Sequence, residues 1–248
     1  MNENTEETEI PFALDILTYP FHKSGYPLFF VGAILILLSN FATVMPVVGG
    51  FASLFIFAYL CGLFFELLNL SATDQEELYT FPDLSDAWED IALPAIKVVG
   101  VVAISFLPLI VWELSGDAES PNANAIWYSA VAWAALYFPM AMLGTVIFGS
   151  LIGASPHIVF PAIFRSGGLY FIVALLVFAL ICLHTFSGHF LPEGIPGLII
   201  SALITMFVMM TVARALGLLY VRREEELGWF YQRETETMFD DDEKTEEG

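Results

Sequence analysis

Apolar runs of about twenty residues, parted by short charged stretches, set the limits on what this chain can fold into. In a helix, with a rise of about 1.5 Å per residue, such a run matches the roughly 30 Å hydrocarbon core of a bilayer. Of 248 residues, 57% are hydrophobic and 15% charged, against roughly 45–50% and a quarter in soluble domains. A soluble domain is excluded on that ground. The charge crowds into the first 23 residues, residues 74–90 and everything after Arg222, as wet segments between bilayer spans would. The reading is an all-α, polytopic membrane bundle of about six transmembrane helices with short cytoplasmic interfacial helices.

Six spans are expected, at about 26–45, 51–70, 95–112, 125–148, 169–186 and 198–220. Residues 1–25 form an acidic leader whose 11–19 stretch reads as an interfacial helix ended by Pro20. The leader is acidic where a secretory signal is basic, so the first span reads as a retained anchor. Before the third span, Leu84, Trp88 and Ile91 stand at helical spacing, with Asp83, Asp86, Glu89 and Asp90 turned the other way. Pro139 predicts a kink in the fourth span. Residues 150–168 are apolar but broken; Ser155-Pro156 reads as a cap and first helical residue, and Gly167-Gly168 as a terminator. That segment is expected as an interfacial helix rather than a seventh span. Residues 221–248 read as an acidic cytoplasmic tail, too polar to bury and largely disordered, the disorder setting in beyond Trp229–Tyr231.

With the N-terminus in the cytoplasm, all eight Lys and Arg residues fall on or just inside the cytoplasmic face. The outer loops hold none, as the positive-inside rule demands. A seventh span would move Arg222 and Arg223 outside. Both termini are therefore expected in the cytoplasm. An internal echo accompanies the spans. Residues 91–100 align without gaps with 158–167 on Ile, Pro, Ala, Ile and Gly, which reads either as a duplicated hairpin or as a recurring way of starting a span.

The spans carry little chemistry. Glu66, Lys97 and Arg214 are each placed one to two turns inside the cytoplasmic boundary. Intramembrane charges are costly, so the three read either as an ionic cluster gating a vestibule or as side chains snorkelling to the headgroups. His184, His189 and Glu193 gather near one mouth, but a spacing of five does not put two imidazoles on one helix face. Cys61 and Cys182 stand alone inside spans and read as small apolar residues. Gly149 and Gly153 are spaced to let helices approach, although at the end of a span a simple turn explains them as well. No HExxH, GxSxG or phosphate loop occurs, so neither an enzyme, a metal nor a cofactor is expected. A net charge of −20 disfavours nucleic-acid binding.

The segments DILTYPFHKSGYPLFFVGAIL, FPDLSDAWEDIALPAIKVVG, GASPHIVFPAIFRSGG and ARALGLLYVRREEELGWF together resemble an uncharacterised, planctomycete-type family of bacterial multi-pass membrane proteins carrying a domain of unknown function. A looser likeness is to the Yip-type membrane domain. The resemblance runs over about residues 15–230 and implies a bundle of about six helices in a bacterial inner membrane. Some members carry a zinc-ribbon-like N-terminus, and the cysteine-free leader here matches no such module. Two functions are carried forward. One is a non-enzymatic scaffold or accessory component, whose partners are the bilayer and a cytoplasmic protein. The other is a small transporter or channel, as a monomer or an oligomer. Polar residues near mid-span are few, which counts against the second.

Overall fold

Apolar length makes the helices of this protein, and proline and glycine break them. The computed structural model describes residues 12–22, 25–42, 45, 47–73, 82, 84–115 and 123–229. Among these the chain is all-α, without a strand. Helix α1 (Phe12–Thr18) leads through a 3-10 turn (Tyr19–Phe21) to α2 (Gly25–Ala42) and α3 (Val48–Ala72). A 3-10 turn (Leu84–Asp86) and a π-turn (Trp88–Ala92) precede α4 (Leu93–Ser105) and α5 (Leu107–Ser115). Then come α6 (Ala123–Ile147), a 3-10 turn (Leu151–Ala154), α7 (Pro156–Ser187) and α8 (Ile195–Leu227).

Helices α2, α3, α6, α7 and α8 are each long and apolar enough to cross a membrane, and α4 with α5 makes a sixth if the bent pair is one span. Large apolar side chains point outward along them, with Phe51 at 73% and Leu175 at 67% exposure. Such a surface is unfavourable in water and at home against lipid tails. The helices are those of an integral membrane protein.

The expected third span, 95–112, is not one straight helix. Its axis turns by 59° between α4 and α5. Pro108 has no amide hydrogen for the Ile104 carbonyl, and its ring crowds that group. The Phe106 amide turns back to Val102 and Ile104 instead. In α6 Pro139 has no amide hydrogen for the Ala135 carbonyl. Beside that gap the Leu136 carbonyl accepts from the Tyr170 hydroxyl of α7. A side chain of the next helix thus bonds the α6 backbone next to its proline.

After Ile147 the chain doubles back along α6. Gly149 takes a left-handed turn (φ 59°), and Tyr137 donates to the Ala154 carbonyl at 2.5 Å. Gly153 packs on Gly144 inside this turn, while nothing approaches Gly149, so the Gly149–Gly153 spacing serves a turn rather than a helix–helix approach. A Cβ on Gly153 or Gly144 would strike the other's backbone. Ser155 precedes α7 with Pro156 in its first turn, yet its hydroxyl bonds back to Ile152 rather than capping the helix. Gly167 breaks α7 at φ 59°, ψ −146°, a conformation open in practice to glycine alone. The helix then resumes to Ser187, so the expected terminator is a kink. Gly167→Ala is expected to cost about 1–3 kcal/mol, read as a lowered unfolding temperature in detergent. An unchanged midpoint would mean the kink is not held at this residue. The echo segments diverge at this position, for Gly100 stays helical within α4 while Gly167 does not.

Helix α8 is the axis of the bundle, touching α1, α2, α3, α6 and α7. Its Met206, Met210, Leu216 and Leu219 are fully buried. It also corrects the expected start of the tail at 221. The helix continues to Leu227, bending at Arg223. Leu227 is buried, its carbonyl accepts from Arg165 at 3.2 Å, and Trp229 packs on Phe148 at 5.3 Å. Packing overrides the polar composition there. The tail from 230 and the leader before 12 lie outside the described residues.

Candidate functional site

Helical spacing lines up Gly62, Phe65, Glu66 and Asn69 on one face of α3, and this face forms a wall of a cleft of about 530 Å³. Lys97 of α4 stands on the opposite wall, with Glu89 and Asp90 beside it. Phe148 and Gly149, where α6 turns, close one edge. Glu66 and Lys97 are both half-buried. The Lys97 ammonium lies over the Phe65 ring, 5.9 Å from its centroid, a cation–π contact that holds the charge inside the cleft.

The π-turn shapes the remaining wall. Pro94 has no amide to offer the Asp90 carbonyl, and the Leu93 amide reaches back to Trp88 in the wide turn that results. The Asp90 carbonyl then lies against Gly62, where a Cβ would collide with it. This corrects the amphipathic helix expected before the third span. Ile91 is buried as its stripe required, but Trp88 is 62% exposed. Glu89 and Asp90 border the cleft rather than only facing away from it. The spacing of Gly62, Phe65, Glu66 and Asn69 was the signal that could have found this wall.

Of the three charges singled out by depth, the structure brings two together. Arg214 is not among the cleft's lining residues. It pairs with Asp15 of α1 at 3.1 Å, the side chains 18% and 25% exposed. Its guanidinium also lies 5.0 Å from the centre of the Tyr19 ring. Fully buried Ile16 completes the seat of the leader on α8. Asp15→Asn is expected to weaken this docking by about 1–3 kcal/mol. Amide exchange in α1 should accelerate while that of α3 and α8 stays unchanged; uniform acceleration would show that the pair holds the whole bundle instead.

His184, His189 and Glu193 do not form a joint site. Among the described residues, no three His, Cys, Asp or Glu side chains converge as a metal ion needs. Among the described residues, the lining of the cleft holds three carboxylates and one ammonium, spread over its walls. Comparison with protein-family models, curated proteins and solved structures gives no match to this chain.

Proposed function

We propose that the protein is a non-enzymatic accessory component of a bacterial plasma membrane, with both termini in the cytoplasm, whose cleft docks a basic segment of a cytoplasmic protein. The observation that carries this reading is the charged cleft at one end of the bundle. Its carboxylates outnumber Lys97, and it lies at the end of the bundle where Phe148 meets Trp229. Arg165, bonded to the Leu227 carbonyl, marks the same end. The positive-inside rule then favours a cytoplasmic opening. Opposite charge and aromatic edges suit a basic segment. The family resemblance points to the same membrane.

A photo-crosslinking residue at exposed Asn69 tests this in living cells. A discrete protein adduct is expected, weakened by Glu66→Gln with Glu89→Gln. A reporter fused after Gly248 should read cytoplasmic, and a periplasmic reading would overturn the orientation. The second reading, a small transporter or channel, draws on the bend between α4 and α5, since broken helices recur at transport sites. It is disfavoured because the cleft shares no lining residue with a second hollow deeper in the bundle, so no path crosses the bundle through these two. Solute flux through the full chain in proteoliposomes, abolished by Lys97→Met, would reverse that preference.

A further inference from the structure

This second hollow is a cleft of about 330 Å³ between α3, α4, α6, α7 and α8. Phe57, Phe64 and Phe138 give it aromatic walls. Phe57 and Ile181, 45% and 42% exposed, stand on its lipid side, while Met142 at 2% lies at depth. No Asp, Glu, Lys or Arg lines it, so a neutral occupant drawn from the bilayer is favoured over an ion.

One polar pair interrupts these walls. His184 Nδ1 stands 3.4 Å from Thr205 Oγ1, a long contact. The Thr205 hydroxyl has a single proton, and it donates that proton to the Ser201 carbonyl at 2.8 Å. Oγ1 must then be the acceptor toward His184, so Nδ1 carries the ring hydrogen. In the neutral imidazole this network assigns the lone pair to Nε2. Small-molecule sites are commonly of this kind, apolar with a few polar atoms that fix orientation.

We infer that this cleft binds a lipid-soluble phenol or hydroquinone, whose O–H donates to His184 Nε2. The ring is specified by the three phenyl groups, which offer edge-to-face packing that a saturated alcohol does not use. The hydroxyl is specified by the tautomer, because a ketone or ether has no hydrogen to give. The inference stands apart from the docking function proposed for the charged cleft.

The test uses the full chain in nanodiscs and two probes of one skeleton, 4-hexylphenol and its methyl ether, 4-hexylanisole. Partition into empty nanodiscs is subtracted. Saturable binding of the phenol is expected, about tenfold tighter than the ether, the discrimination one hydrogen bond gives. The ¹⁵N signal of His184 Nε2 should move with the phenol and not with the ether. His184→Phe should bind both probes alike. If that variant does not fold, Thr205→Val serves, for it removes the acceptor that fixes the tautomer and should shrink the preference. Equal binding of both probes by the unaltered protein, or a preference that survives these substitutions, overturns the inference.

Discussion

A single methyl group added at Gly153 is expected to destabilise the bundle by about 3 kcal/mol, the upper part of the usual overpacking range. The new Cβ would meet the Gly144 carbonyl and the Thr145 amide, all of it backbone. A side chain in the way could rotate, but helix backbone cannot. Relief would require lifting the 151–154 turn from α6, which also breaks the Tyr137 bond to Ala154. For a chain of this size the loss corresponds to a fall of roughly 6–12 °C in the unfolding midpoint. Gly149→Ala is an informative companion, since nothing crowds its Cβ and only its left-handed φ resists the change. If Gly153→Ala unfolds no earlier than Gly149→Ala, the close packing of Gly144 and Gly153 is not a structural requirement.

Tyr170→Phe is expected to cost about 1–3 kcal/mol, although it removes one oxygen and almost no volume. That oxygen donates its hydrogen to the Leu136 carbonyl of α6, next to the Ala135 carbonyl, to which Pro139 has no amide hydrogen to give. In an apolar interior no water replaces the lost donor. Amide exchange provides the specific signature. Met140 should lose protection while residues near Ala130 keep theirs. Full protection at Met140 in Tyr170→Phe would mean that α6 holds its shape at Pro139 without this bond.

The spans were legible because crossing a bilayer needs only apolar length, a property read by counting. The kink at Gly167 was legible in part, since Gly167-Gly168 announces a break, although only coordinates tell a kink from an end. The bend at Phe106 had a signal that went unused. Pro108 lies two residues on, inside what reads as one apolar run. The charged cleft was half legible. Depth alone singled out Glu66 and Lys97, which share it. The wide turn that brings in Asp90 follows from the amide that Pro94 lacks and from the room that Gly62 leaves for the Asp90 carbonyl, and no periodicity encodes that. Arg214 was grouped with Glu66 and Lys97, whereas it pairs with Asp15. Its partner Asp15 is 199 residues away, and charge counting supplies no rule that joins them.

The central place of α8 has a consequence for how the protein is made. The helix around which the others pack leaves the ribosome after every described helix that it touches. Until it arrives, Gly32 of α2 lacks Met206, and Ser71 of α3 lacks Gly217. Asp15 must wait for Arg214 through 199 residues of synthesis, about 10–40 s at roughly 5–20 residues per second. Early helices therefore sit in the bilayer with their contact faces against lipid or an insertion factor. Assembly is a closing event, and a chain cut short before α8 is a set of inserted helices without the piece that joins them.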